Sequence, residues 1–217
     1  MTQTKTLGKR LTGTEFSHKL IIIAVLVLLV VFFYIMNPNY LSYGNIMTIL
    51  LATCVNGMLA LGVSFVIFTG GIDISVGAVM TFSSVMSGVA LTRWGFPLPA
   101  AILFGILVGG FCGAVSGIGV TKMFLPPFIA TMAMQMITKG LSLVVSNMRP
   151  IYFTSEPVYQ RIATGSFLGI SGFHNAIVIL IAVTIIAYIL FSKTLIGRYS
   201  LAIGSNEEAA RLSGVNV

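Results

Sequence analysis

"LIIIAVLVLLVVFFYIM", from Leu20 to Met36, decides the fold class of this chain. The run contains no charged residue, and its length lies within the roughly 17–25 apolar residues that a helix needs to span a bilayer. It is longer than the ~7–15-residue apolar core of a signal peptide, and the following "NPNYLSY" lacks a small-residue cleavage pattern. We therefore expect a retained membrane helix.

The whole chain shares this apolar character. Its 217 residues are 57% hydrophobic and only 8% charged, with a mean hydropathy of +1.02. Soluble domains carry about 25% charged residues, so a soluble fold of this size would lack polar surface. The net charge of +7 comes from scarce acids, 5 against 12 Lys+Arg, and basic helix ends produce the same balance in membrane proteins. Nucleic-acid binding would require a basic face, and the sequence shows none.

Two cysteines, Cys54 and Cys112, lie inside apolar runs. Their surroundings favour small packing residues over a disulfide, and no metal-ligand spacing accompanies them. We expect no metal site and no cofactor.

Six apolar segments are long enough, some only just, to cross a membrane. We predict an all-α polytopic membrane helical bundle with about six transmembrane helices. A cytoplasmic N-terminal segment, 1–19, precedes a transmembrane domain, 20–192, and a cytoplasmic segment, 193–217, follows it. The domain includes an external loop, 146–173. The predicted spans are Leu20–Met36, Ile46–Thr69, Ile74–Thr92, Pro97–Thr121, Phe124–Val145 and His174–Ser192.

The basic residues orient the bundle. Cytoplasmic loops carry the excess of Lys and Arg, and this rule is satisfied when both termini are cytoplasmic. Lys139, near the outer end of the fifth span, either reaches the outer interface or acts inside the bundle. The inner residues are then Lys5, Lys9, Arg10, Lys19, Lys122, Lys193, Arg198 and Arg211, and the outer ones are Arg93, Arg149 and Arg161.

The stretch "FTGGIDISVGAVM", Phe68–Met80, interrupts the apolar sequence. Its glycines can end one helix in a left-handed conformation, and its aspartate or serine can cap the next. A break lying deeper in the bilayer would instead line a substrate path, where an acidic residue is a functional candidate. Both interpretations can hold together. The candidate residues for this break are Gly70, Gly71, Asp73, Ser75 and Gly77.

Glycines recur every four residues along the fourth span. They line one helix face, which predicts close packing against a neighbouring helix in lipid. The four are Gly105, Gly109, Gly113 and Gly117.

The final segment contains "AIGSNEEAARLSGVNV". Ser205 followed by Glu208 fits a capping box for a short helix over residues 206–212, and Gly214 is a natural stop. So short a helix is marginal in water, so we expect it to pack on another surface.

The pattern E-A-A-x-x-x-G in this segment resembles the cytoplasmic coupling segment of membrane subunits in ATP-binding-cassette importers. "PNYLSYGNIMTIL", "VNGMLALGVSFVIFTGGIDISVG" and "FIATMAMQMITKG" are similar to further signature stretches of one such family, the monosaccharide (ribose/xylose/galactofuranose-type) permeases. The resemblance runs in the same order from about Asn37 to Val217.

This resemblance implies a multi-pass subunit of the inner or plasma membrane in a sugar importer. An extracytoplasmic sugar-binding protein would deliver the sugar to a pair of permease subunits, identical or mixed. Cassette ATPases would bind the coupling segment in a helix-in-groove contact. Glu207 and Glu208 would be polar anchors there, Ala209 and Ala210 would allow close approach, and Gly214 would end the helix.

No catalytic residue is expected. The chain contains no G-x-x-x-x-G-K-[ST] motif, so ATP hydrolysis would belong to a separate subunit. Permeases of this type continue beyond the point where this sequence stops. We therefore expect a fragment or a truncated product that does not transport by itself.

Sugar contacts are weakly indicated. Hydrogen-bonding and aromatic side chains near the break or within the fifth span are the candidates: Asn56, Phe65, Phe68 and Gln135. The identity of the sugar is not encoded in any motif.

Three alternatives compete with an importer. An ion-coupled secondary transporter would need a buried carboxylate, for which Asp73 is the one candidate. A membrane enzyme would need a nucleophile with a base, or a set of metal ligands. No cluster of His, Glu or Asp accompanies His18 or His174 in the sequence. A truncated product could also be a plain membrane anchor.

Overall fold

A computed structural model of the chain describes residues 3–153, 157–169 and 173–217, with side chains from His18 onward. Within these ranges the structure is helical apart from turns and one isolated backbone bridge, Ser166–His174. Glu156, expected in the external loop, lies outside the described residues. The α-helices are α1 (Gln3–Met36), α2 (Tyr43–Phe68), α3 (Val76–Thr92), α4 (Leu98–Lys122), α5 (Pro127–Ser146), α6 (Pro157–Thr164), α7 (Asn175–Lys193), α8 (Leu195–Ser205) and α9 (Glu207–Leu212). Short 3-10 turns cover Pro38–Leu41 and Phe167–Gly169.

The predicted all-α polytopic bundle is confirmed. Among the described residues, five helical stretches are long and apolar enough to cross a membrane: His18–Met36, α2, α4, α5 and α7. The third predicted span is shorter than expected. It begins at Val76 rather than Ile74 and has 17 residues, because residues 71–75 form no regular secondary structure. Helices α6 and α8 were not predicted.

Two compact units make up the chain, residues 1–50 and residues 51–217. In the first unit, local contacts fix the turn that follows α1. Phe33 stacks on Tyr40 with ring centroids 5.5 Å apart, and Asn45 Nδ2 donates to the Tyr40 carbonyl at 2.6 Å. Asn37 caps the 3-10 turn by accepting the Asn39 N–H at 3.0 Å. These bonds satisfy backbone groups that the chain reversal would otherwise leave open.

The core of the second unit lies where α3 packs against α4 and α5. Phe82, Cys112 and Met134, one from each helix, form a buried cluster, and Ala90, Leu91 and Ala101 form another nearer the outer end. Both cysteines are buried free thiols, in agreement with the packing role predicted for them.

Only half of the predicted glycine face is used for packing in this unit. A Cβ added at Gly105 would meet Ser87 Cβ at 2.9 Å, and one at Gly109 would meet Ser83 Oγ at 2.9 Å, so α3 and α4 approach closely there. Gly113 and Gly117 would meet no described atom within 4 Å. The predicted close packing is therefore confirmed at Gly105 and Gly109, and at Gly113 and Gly117 it stays a prediction.

Two basic residues of the second unit lie at its opposite ends. Lys122 ends α4 at the same end of the unit as α9, and Arg93 lies at the opposite end, beside the end of α5. Lys139 is exposed on α5, as expected for a side chain that reaches an interface. We keep the words inner and outer for these two ends.

Arg93 joins α3 to α5 at the outer end. Its Nη1 donates to the Val145 carbonyl at 2.9 Å and its Nη2 to the Ser146 carbonyl at 3.0 Å. These are among the carbonyls that a helix end leaves without an intrahelical partner, and a cation there also complements the helix dipole.

The Arg93→Ala variant should therefore lower the free energy of unfolding by about 1–3 kcal/mol, since two hydrogen bonds from a charged donor are lost. Thermal unfolding in detergent measures the effect. Arg161→Ala is the matched control, because the Arg161 side chain is exposed and makes no hydrogen bond or ion pair in the described part of the chain. Equal stability of both variants would contradict this role of Arg93.

Candidate functional site at the inner end

Helix α2 ends in a Schellman motif built on the predicted glycines. Gly70 has φ +79°, and its N–H donates to the Ile67 carbonyl at 2.9 Å. The Gly71 N–H reaches the Val66 carbonyl at 3.0 Å. These two bonds satisfy the last carbonyls of the helix, and only glycine takes the left-handed conformation without a penalty. Gly70 therefore ends α2, as the sequence predicts.

Residues 71–75 form no regular secondary structure, and Asp73 binds the residue that precedes α3. Its Oδ1 accepts from the Ser75 N–H at 2.8 Å and from the Ser75 Oγ at 2.7 Å. Ser75 occupies the N-cap position of α3 but makes no side-chain cap bond to the helix. Of the two predicted capping residues, Asp73 and Ser75, it is Asp73 whose carboxylate accepts a backbone hydrogen bond, from the Ser75 N–H. Gly77 follows in the first turn and faces open space.

Thr131 of α5 contacts the backbone of residues 72–74. Thr131 is 5% exposed, and its hydroxyl oxygen lies 3.3 Å from the Ile72 carbonyl oxygen and 3.4 Å from the Ile74 nitrogen. Unpaired backbone groups are costly away from water, so this threonine stabilises the break, residues 69–75. Sequence reasoning missed it, although a threonine one turn into an apolar helix was a visible signal.

Asp73 offers a test of capping against ion coupling. Asp73→Ala should cost about 1 kcal/mol of stability, because the Ser75 N–H loses its acceptor. Asp73→Asn retains an acceptor oxygen and should stay close to wild type in both stability and transport. Thermal unfolding and uptake assays measure these effects. Loss of transport in a stable Asp73→Asn variant would instead indicate a charge-dependent role.

The coupling segment, residues 193–217, returns to this break through α8. A Cβ added at Gly204 would fall well inside contact distance of the Phe68 carbonyl oxygen and 3.3 Å from the Gly70 backbone nitrogen. Helix α8 therefore touches the backbone at the end of α2, and the touching position must be glycine. The sequence did not reveal this contact.

The start of α9 differs from the predicted capping box. Helix α8 continues through Ser205, so this residue cannot be the cap. Asn206 is the cap instead, and its Oδ1 accepts the Ala209 N–H at 2.9 Å. Gly214 ends the helix with φ +83°, and the Val215 N–H reaches the Ala210 carbonyl at 3.1 Å. The predicted stop is thus confirmed.

Helix α9 has one face toward the chain and one toward solvent. Ala210 is 6% exposed, so its side chain packs inside the chain, and its role in the close approach of a partner stays a prediction. Glu207 pairs with Arg211 at 3.0 Å. Glu208, Ala209 and Leu212 are exposed, and Leu212 remains 85% exposed. Leu212 escaped sequence reasoning, although it lies four residues after Glu208 and therefore on the same face.

A cavity of about 890 Å³, the inner cavity, lies where these elements meet. Thr69 and Gly70 contribute the break, Thr121 the end of α4, and Pro127 the start of α5. The Glu207–Arg211 pair of α9 lines the remaining side. Movement of α9 would therefore change the walls of a space shared with three membrane helices.

Residues 45–217 match the protein-family model described as "Branched-chain amino acid transport system / permease component". The chain belongs to this family. It is a multi-pass membrane protein of this permease family, and the sugar-permease resemblance seen in its motifs agrees with its relatives.

Three curated relatives of the chain are sugar permeases. The chain is 37% identical to the ribose import permease protein of Bacillus subtilis over 88% of its own length and 59% of the relative's. It is 32% identical to the fructose import permease protein of Rhizobium meliloti (90% and 56%) and 30% identical to the D-allose transport system permease protein of Escherichia coli K12 (89% and 58%). The chain thus spans less than three-fifths of the length of each of these three relatives. No solved structure matches it significantly.

None of the four residues that the sequence suggested as sugar contacts lines the inner cavity. Phe65 and Phe68 pack on Phe191 of α7, with centroids 5.9 Å and 4.3 Å apart, so their rings join α2 to α7. Asn56 is exposed on α2, and Gln135 is half-buried on α5. In the described ranges, no group of three or more His, Cys, Asp or Glu could hold a metal ion.

Proposed function

We propose that this chain is the membrane-spanning permease subunit of an ATP-driven monosaccharide importer. The observation that carries the proposal is the contact of α8 with the helix break, because it links a coupling-type tail to the point where two membrane helices are interrupted. The three relatives above, named as ribose, fructose and D-allose permeases, support a monosaccharide as substrate. Ribose is the first sugar to test.

The exposed face of α9 is the proposed contact with a cassette ATPase. Leu212 supplies an apolar anchor, Glu208 a charge at its side, and Ala209 a small surface between them. A short helix with such a face fits a groove on a partner. Glu207 is engaged with Arg211, so Glu208 is the stronger candidate for a polar contact.

Motion would pass from α9 to the break by direct contact. When the ATPase pair closes, it displaces α9; α8 moves with α9 because the connection at Asn206 is short; and Gly204 presses on the end of α2. Residues 71–75 can absorb this movement, since they form no regular secondary structure. The other proposed partners are a second permease subunit and an extracytoplasmic sugar-binding protein.

Copurification tests the proposal. The chain, tagged at its N-terminus in its own host, is purified in mild detergent and weighed by native mass spectrometry. We expect a cassette ATPase bound to it. Because the chain is not expected to transport by itself, uptake is measured with the complete complex in liposomes, where we expect it to depend on ATP. A chain that binds no ATPase, or uptake that follows an ion gradient without ATP, would contradict the proposal.

A further inference from the structure

We infer that the permease has a monosaccharide-binding site at its outer end, in a cavity between α3 and α5. This outer cavity has a volume of about 510 Å³, within the roughly 300–1,000 Å³ of small-molecule sites. The inference rests on the proposed function, and it places the sugar away from the four positions that the sequence indicated.

The lining of the outer cavity is rich in hydroxyl groups. Thr81 and Ser84 come from the middle of α3, and Ser142 and Ser146 from the last turns of α5. Thr81 and Ser142 donate their protons to carbonyls of their own helices, at 2.9 Å and 2.7 Å. The exposed Thr81 oxygen therefore remains free to accept, which suits a ligand that brings its own O–H donors, whereas Ser142 is only 7% exposed.

An aromatic wall and a donor complete the lining. Phe153 and Tyr159 stack at 4.3 Å with an interplanar angle of 15°, and both line the cavity. The pair is held in place because Phe153 also packs against Gly88, where an added Cβ would meet its ring at 3.0 Å. Arg149, at the rim, adds guanidinium N–H donors.

This combination favours a neutral polyhydroxylated ligand. Apolar ring faces and several uncharged acceptors match the C–H faces and hydroxyls of a sugar. Its position at the end opposite the inner cavity places it where a sugar would enter first.

Cysteine protection tests the site. Ser84 is exposed to the cavity, so Ser84→Cys should react with a methanethiosulfonate reagent, while buried Cys54 and Cys112 give a low background. The complex purified through the tagged chain is held in lipid nanodiscs. D-Ribose, D-fructose and D-allose are then titrated against the modification rate.

We expect at least one of these sugars to slow modification about tenfold when present at ten times its dissociation constant. Tyr152→Cys, exposed but outside the cavity, is the control and should be unaffected. Tyr159→Phe should keep the protection at Ser84→Cys, and Tyr159→Leu should weaken sugar affinity about tenfold. Matched concentrations of betaine should give no protection.

Two outcomes separate this inference from the proposed function. ATP-driven sugar uptake by the wild type, with no sugar protecting Ser84→Cys, would overturn the outer site and leave the importer intact. Protection of Ser84→Cys in a chain that binds no ATPase would support the site and overturn the importer. Equal protection of Tyr152→Cys would show a general effect and would also overturn the site.

Discussion

The Gly204→Ala variant is expected to lose ATP-driven uptake by at least about tenfold, the effect of an overpacking cost of roughly 1–3 kcal/mol. The new Cβ would collide with the Phe68 carbonyl oxygen and crowd the Gly70 nitrogen. Both are backbone atoms, so no side chain can rotate away, and α8 must move off the end of α2. Uptake per purified complex and thermal unfolding measure the effect.

Gly113→Ala is the matched control for this variant. It is the same substitution within a helix, but an added Cβ would meet no described atom within 4 Å. Alanine is favoured over glycine in helix interiors by about 1 kcal/mol, so this variant should be as stable as wild type and fully active. Wild-type uptake by Gly204→Ala would show that the contact between α8 and the break does not transmit motion.

The Leu212→Asp variant is expected to weaken ATPase binding by about 30-fold or more, the effect of losing an interface hot spot worth at least ~2 kcal/mol. Leu212 is 85% exposed and makes few contacts within the chain, so the substitution should leave folding unchanged. Copurification of the ATPase and ATP hydrolysis by the complex are the measurements.

Leu168→Asp controls for the general effect of replacing an exposed leucine. Leu168 is 82% exposed and lies on the outer side of the unit. Its left-handed φ of +53° is tolerated by aspartate. We expect normal ATPase binding in this variant. If both variants bound the ATPase equally well, α9 would not be the docking helix.

Local signals in the sequence predicted much of this fold. Apolar run lengths gave the membrane helices to within a few residues, since a helix in lipid must satisfy its backbone internally. The positions of Gly70 and Gly214 predicted the ends of α2 and α9, because the left-handed residue of a Schellman motif is usually glycine. The Asp73 cap followed from the same kind of short-range chemistry.

Contacts between distant segments could not be predicted in this way. Thr131 meets the break across more than fifty residues of sequence, and Gly204 touches Phe68 although neither position carries a special pattern. The cap at Asn206 was assigned to Ser205 because two neighbouring polar residues both fit a short motif, and only the length of α8 decides between them. The burial of Ala210 within the chain likewise has no local signature in the sequence.

The most direct measurement of the central claim is uptake of labelled D-ribose into liposomes that contain the complex purified through this chain. ATP is supplied on the ATPase side, and the sugar-binding protein on the other. We predict uptake that requires hydrolysable ATP and survives collapse of all ion gradients. Uptake that persists without ATP and stops when the ion gradients collapse would contradict the account.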